Sequence, residues 1–493
     1  MNRLSKEINK VVLVVFSLWT TVVLFGIIHN NNLFLPNGTS VTLFLLLLLV
    51  FTIISISLFS KLRQNVISFF SHNRFAVSCL LVALVIVWQV VIVVNASTTV
   101  GFDPFHIFSS FSYPDNHYFN WYPNNLFLFF MEKSVSVNIG IKPSWWWFAT
   151  VSTFLVDFSV VINCLIIFIH AKSKVWTALY IQLLFLLVFP MIIIPYSDTF
   201  VMPFVSLTVL GYVLMSEELS NKKKFVGAFI GGLAAALAYL LKPTTIILVI
   251  AILLIEFSHL NFKLNNQNLK RFFVSLIATL TFVCIVLSFG QFTKNQTTFK
   301  LNSQQAQPAL HFVAMGLTGG GGYYEPDLDA TENMTEKSDR NNYAKEMIKM
   351  RLKSFGFGGY LKFLILKNYN NTSDGTFGWN KEGAFIIGKI DKGEKGFIRS
   401  FLYPGGRHLG DFYFWAQVVW LALVSVLLFG YDYRDKLSIV LRLSIIGLLL
   451  YLLIFEGGRT RYLIQGMPLM LILFTLVFSS SMNRFRMLIH SLK

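Results

Sequence analysis

The chain has 493 residues, 55% of them hydrophobic and only 13% charged, with a formal net charge of +17. Such a composition excludes a soluble globular domain and fits a polytopic membrane protein. The positive charge does not imply nucleic acid as a partner, because it falls in short clusters between apolar runs, mostly on one side.

Apolar runs of roughly 17–25 residues recur along the chain and are long enough to cross hydrocarbon as helices. They are continuous rather than alternating, which argues against a closed barrel. Twelve spans are expected, at 11–28, 41–59, 75–94, 145–169, 175–194, 200–215, 225–241, 244–257, 272–289, 412–428, 437–455 and 462–478. The fold class is therefore all-α and polytopic. The first run is too long for a signal-peptide core and lacks a small-residue cleavage site, so it reads as an uncleaved span. Cys79, Cys164 and Cys284 all lie inside apolar runs and form no disulfide framework or metal-ligand spacing.

Lysine and arginine set the expected orientation. Arg3, Lys6 and Lys10 fall on the same side as Lys61, Arg63, Arg74, Lys172, Lys174 and Lys222 to Lys224. Lys263, Lys270, Arg271, Arg434, Lys436, Arg484, Arg486 and Lys493 join them. Both termini are then cytoplasmic, in a plasma-membrane protein. Residues 1–289 make a transmembrane core whose first long outer loop is 95–144; residues 290–411 form an extracytoplasmic region, and 412–493 the last helices. The short outer loops carry three basic residues, Lys242, Arg459 and Arg461, on the side where positive charge is disfavoured.

Several short motifs occupy these outer segments. Gly101-Phe102-Asp103-Pro104 places a carboxylate just beyond the third span. Asp before Pro is a common helix start, and an Asp at a membrane boundary is also a candidate proton acceptor. Asp115, in Tyr-Pro-Asp-Asn, reads as a turn residue. Tyr122-Pro123-Asn124-Asn125 reads as a turn opening an interfacial helix, and its amides and phenol also suit a sugar. Tyr196-Ser197-Asp198-Thr199 is a helix cap or part of the same pocket. Lys242-Pro243-Thr244 and Glu456-Gly457-Gly458-Arg459-Thr460-Arg461-Tyr462 offer two readings: an Arg–Glu pair closing helix ends, or a phosphate site.

In the second outer segment, Thr318 to Tyr324 contains four consecutive glycines and must be a loop. Residues 347–367 mix Lys and apolar residues at helical spacing, as in a helix lying in the interface. Trp145 to Trp147 reads as an aromatic belt. The Asn-x-Thr triplets at Asn37 and Asn333 read as chance in an Asn-rich chain. Walker, dinucleotide-binding and zinc-protease motifs are absent from the sequence.

In their order and sidedness these motifs resemble the family C glycosyltransferases, multi-spanning enzymes that use polyprenyl-phosphate sugars. The resemblance covers most of the chain. It rests on Phe102-Asp103-Pro104, Tyr122 to Asn125, Tyr196 to Thr199, Lys242 to Thr244, and Arg459 to Tyr462 with Pro468. His311 to Leu317 with the glycine run and Tyr323, and Asp374 to Trp379, are similar to a branch found in Gram-positive bacteria.

The resemblance implies an outward-facing, inverting transfer from a polyprenyl-phosphate sugar to an extracytoplasmic glycan, teichoic acid, glycolipid or protein. Asp103 would be the general base, and Lys242, Arg459 and Arg461 would bind donor phosphate. Tyr122, Asn124, Asn125, Tyr196, Asp198, Glu456 and Tyr462 would contact substrate. Membrane lipid is a partner, nucleic acid is not, and no cofactor or metal is expected. In many relatives the acidic loop follows the first span, whereas here it follows the third; and Pro104 stands where several carry a second acid. Two other classes share the topology: a polysaccharide polymerase or ligase, and a lipid-linked sugar transporter or flippase.

Overall fold

The computed structural model of the chain describes residues 3–34, 39–114, 117–216, 219–259, 266–381, 385–390 and 393–491. Asn37, Asp115, Lys263 and Lys493 lie outside this set. In chain order the helices are α1 (Arg3–Ile28), α2 (Ser40–Leu58), α3 (Ser60–His72) and α4 (Arg74–Ala96), followed by the strand β1 (Thr99–Val100). The first long connection holds α5 (Asp103–Ser109), α6 (Tyr118–Trp121) and α7 (Leu126–Ser134). Next come α8 (Trp145–His170), α9 (Val175–Leu187), α10 (Ser197–Phe200), α11 (Met202–Ser216), α12 (Asn221–Leu241), α13 (Ile246–His259) and α14 (Asn266–Asn295). The second long connection holds α15 (Ala309–Met315), α16 (Glu325–Glu332), α17 (Lys337–Thr372), β2 (Ile386–Ile387) and α18 (Glu394–Leu402). The chain closes with α19 (Leu409–Phe429), α20 (Lys436–Ile454) and α21 (Met467–Ser491).

Among the described residues, nine helices are long and apolar enough to cross a membrane, or ten if one bent pair counts as a span. These nine coincide with nine of the twelve runs. The other three depart from the expectation for separate reasons. The run at 41–59 continues through α3 with a bend of 104°. The run at 244–257 becomes α13, whose 14 residues reach about 21 Å, short of a hydrocarbon core of about 30 Å. The run at 175–194 divides: α9 ends at Leu187, and a 3₁₀ turn occupies Pro190–Ile193. Proline has no amide hydrogen to donate and disfavours helix at the residue before it. That turn is apolar because it is buried in the bundle, with Ile192 fully covered, and not because it faces lipid.

The helices α11 and α21 lie inside the bundle, while α14 packs on α12 at its edge and buries few of its residues. Lipid covers such apolar surface at no cost, so both kinds of helix read alike in sequence. The segment 347–367 is helical, but the helix is longer and is broken at Gly356 (φ 59°, ψ 179°). Its second half is fastened to the bundle: Trp19 Nε1 donates to Asn368 Oδ1 at 2.6 Å, and Trp420 Nε1 to the Thr372 carbonyl at 2.9 Å. Leu361, Ile365 and Leu366 remain exposed on its outer side.

Candidate functional site

The two long connections meet at one end of the bundle. There β1 and β2 pair antiparallel, Thr99 with Ile387 and Val100 with Ile386. The Gly101 amide extends this pairing to the Phe385 carbonyl at 2.8 Å. The next residue, Phe102, has a positive φ of 58°, a conformation that costs a non-glycine residue energy and clusters at functional sites. Its ring packs on Phe385 at 5.3 Å. This kink starts α5 with Asp103 as its first residue and Pro104 as its second.

The capping position belongs to Phe102, so Asp103 opens the helix without serving as its N-cap. Its two carboxylate oxygens are taken by phenols. Tyr118 donates to Oδ1 and Tyr196 to Oδ2, each at 2.7 Å. Tyr118 in turn accepts from Asn125 Nδ2 at 2.5 Å and stacks on His106 at 5.2 Å. Burial, reinforced by Asp103, carries both the Tyr118 and Tyr196 hydroxyls well above the usual phenol range. They therefore stay protonated and act as donors. Burial does the same to Tyr122, with Asp103, Tyr323 and Glu456 adding to it. Each carboxylate oxygen has a second lone pair, so Asp103 retains acceptor capacity.

Tyr196 joins this acid to a basic group. Asp198, two residues further along the chain and buried, accepts from Lys242 Nζ and lies 3.7 Å from Arg461 Nε. The Arg461 guanidinium faces the rings of Phe385 (4.6 Å), Tyr462 (5.2 Å) and Tyr196 (5.6 Å). Lys242 Nζ lies 5.5 Å from the Tyr462 ring, and Tyr462 donates to Glu456 Oε1 at 2.8 Å. The sequence offers two anionic partners for these cations, a glutamate at the helix ends or a bound phosphate. Asp198 supplies the anion from within the chain.

The structure therefore brings Asp103, Tyr196, Asp198, Lys242, Arg461, Tyr462 and Glu456 into one linked cluster, with Asn125 attached through Tyr118. Tyr122 borders it. Asn124 is exposed and reaches toward Asn125 at 3.4 Å. Arg459 stands beside the glycine loop, where a Cβ added at Gly322 would lie 3.4 Å from its Nε.

The glycine run is part of the site's frame. Gly457 N donates to the Gly321 carbonyl at 2.8 Å, and Gly458 N to Asn371 Oδ1 at 2.6 Å. A Cβ at Gly321 (φ 93°) would fall 2.5 Å from the Lys367 side chain, and one at Gly458 (φ 67°) 2.5 Å from the Gly320 carbonyl. Glycine is required because two backbones and a lysine share this space. Lys367 is fully buried and donates to the Gly316 and Phe455 carbonyls, both at 2.6 Å. Burial pulls its ammonium down to about 8. It pins the glycine loop to the segment that carries Glu456 and Arg461.

Three features of the structure lie outside the motifs named above. Tyr118 and Lys367 gave no local signal, because their partners are distant in the chain. Asp157 was visible as an acid in the middle of the 26-residue α8. It accepts from Gln89 of α4 at 2.8 Å. Among the described residues, no group of three or more His, Cys, Asp or Glu side chains is arranged to hold a metal.

The fold and this cluster define an all-α polytopic integral membrane protein with an ionisable site at one end of its bundle. A family model described as "conserved hypothetical integral membrane protein" matches residues 3–482, and the chain belongs to that family. No curated protein and no solved structure matches the chain.

Proposed function

We propose that the protein is a membrane glycosyltransferase of the family C type, acting at the extracytoplasmic face. It moves a sugar from a polyprenyl-phosphate donor to an acceptor hydroxyl of the cell envelope. The observation that supports this reading is the Asp103–Tyr196–Arg461 linkage, which sets a proton acceptor beside a pair of cations. In the reaction the acceptor oxygen bonds to the anomeric carbon and its proton passes to Asp103. The anomeric carbon–oxygen bond breaks and its electron pair leaves with the lipid phosphate. Tyr118 and Tyr196 orient the carboxylate. Lys242 and Arg461 offset the charge gathering on the phosphate.

One observation favours a second reading, transport of a lipid-linked sugar. Asp157 is an ionisable side chain midway along a spanning helix, the usual place for a transport or proton site. Transport would depend on Asp157 and spare Asp103→Asn.

The test is to supply membranes containing the protein with a panel of radiolabelled polyprenyl-phosphate sugars and follow label into an acceptor. Transfer from one donor, weakened by Lys242→Ala and by Arg461→Lys, supports the reading. Redistribution of labelled lipid across the bilayer without a new glycosidic bond supports transport instead.

A further inference from the structure

Gly356 divides α17 into two halves with different surfaces. A Cβ at Gly356 would meet nothing within 4 Å, so the positive φ of 59° alone calls for glycine there. Before the break, Lys345, Lys349 and Lys353 recur every fourth residue, and all three are exposed. That spacing sets them along one side of the helix, with Glu346 beside them. Arg351 points the other way and is held by both oxygens of Asp327 at 2.6 Å. After the break, Phe357 (84% exposed), Leu361, Ile365 and Leu366 stand open on one side together with Lys362.

The inner side of this second half rests on spanning helices. Asn368 accepts from Trp19 of α1 at 2.6 Å, and a Cβ at Gly26 would lie 3.1 Å from the Tyr369 ring. The Thr372 carbonyl accepts from Trp420 of α19 at 2.9 Å. Trp19 lies well before Ile28, the last residue of α1, and Trp420 well after Leu409, the first of α19. At 1.5 Å per residue those contacts fall about 14 Å and about 17 Å inside the helix ends. The open side of residues 357–366 therefore stands beside the end portions of spanning helices and faces away from the bundle. Large apolar side chains at that level meet acyl chains.

We propose that α17 is a lipid anchor at the Asp103 end of the bundle. Residues 357–366 enter the acyl layer, and the stripe of Lys345, Lys349 and Lys353 binds the phosphates of anionic lipid headgroups. The inference does not depend on the transferase reading. The break at Gly356 lets the two halves take different depths. Lys362 lays its stem along the apolar side and carries its ammonium up to the phosphates. Lys367 of the same helix pins the glycine loop, so the anchor also fixes that loop relative to the bilayer.

The experiment uses the full chain with Cys79, Cys164 and Cys284 replaced by alanine and one nitroxide at a time at Met350→Cys, Phe357→Cys or Ile365→Cys. It is reconstituted in phosphatidylcholine vesicles and in vesicles that also contain phosphatidylglycerol. At 357 and 365, collisions with oxygen should exceed those with an aqueous nickel complex in both lipids. At 350 the spectrum should resolve docked and undocked components, with phosphatidylglycerol favouring the docked one. Lys345→Gln, Lys349→Gln and Lys353→Gln should each cut the docked-to-undocked ratio about fivefold, the change that about 1 kcal/mol per basic residue makes. Arginine at all three positions should keep the ratio, and all forms should melt alike. Nickel collisions at 365 equal to those of free label in buffer overturn the anchor. Dipolar broadening between labels at 365 on separate copies also overturns it, because a second copy is then the cover. A docked population equal in the two lipids, or unmoved by the glutamine variants, overturns the headgroup binding.

Discussion

Tyr196 donates to Asp103 at 2.7 Å, and the same ring faces the Arg461 guanidinium at 5.6 Å. A single side chain thereby spans the acidic and basic halves of the site. The hydroxyl acts on one half and the ring on the other, so the two contributions can be separated by mutation.

Tyr196→Phe keeps the ring and removes the donor. A hydrogen bond to a charged group is worth roughly 1.5–3 kcal/mol, so transfer should fall about tenfold or more. Donor affinity, governed on the Arg461 side, should stay within about twofold. Steady-state kinetics of the purified variant check both. An equal loss in the two parameters would mean that the hydroxyl shapes the whole site and does not act on Asp103 alone.

Asp198→Asn should destabilise the fold. It leaves Lys242 and Arg461 buried together without their acid, and breaking such a buried group costs on the order of 3 kcal/mol. Adding Lys242→Met should recover part of the loss by removing one stranded charge. Melting in detergent measures it, and unchanged melting of Asp198→Asn would show that water already screens this group.

His311 gives a pH signature. It is 1% exposed, and burial, opposed by Asp327 and assisted by Arg340 and Arg351, lowers its imidazole to about 4. The unfolded chain titrates near the ordinary value of about 6.5. Between those values the unfolded state binds more protons, so stability rises with pH there. The contribution is complete above about pH 6.5 and is lost as pH falls toward about 4. Unfolding curves across that window should show wild type losing stability relative to His311→Gln. Parallel curves would contradict a buried, neutral His311.

Much of the fold was legible because lipid-spanning helices need long apolar runs, and nine such runs fall on helical segments long enough to span. The run at 175–194 misled because burial in the bundle and exposure to lipid select the same residues. Only Pro190 distinguished a turn there. In the site, Asp103 and the basic residues stood out as charges at spans' ends. Their partners did not: Tyr118 reaches Asp103 across 15 residues and Asp198 reaches Lys242 across 44, spacings that no local period encodes. The glycine run was readable as a loop, but its cause was not. That cause is the close approach of residues 457–458, over a hundred positions away.

The Lys/Arg bias predicts which end of the bundle faces outward. An impermeant maleimide added to intact cells should label Ser338→Cys and leave Lys223→Cys unlabelled. The reverse pattern would put the Asp103 site in the cytoplasm, out of reach of an extracytoplasmic acceptor.

Asp103→Asn in purified membranes is the most direct measurement of the central claim. The amide keeps the size of the side chain but cannot take a proton, and general-base catalysis contributes typically 10²–10⁴-fold. With expression and melting matched to wild type, transfer of labelled sugar from the polyprenyl-phosphate donor should fall by about that factor while donor binding persists. Wild-type turnover in Asp103→Asn would contradict the account and leave Asp103 as the residue that starts α5 and anchors two tyrosines.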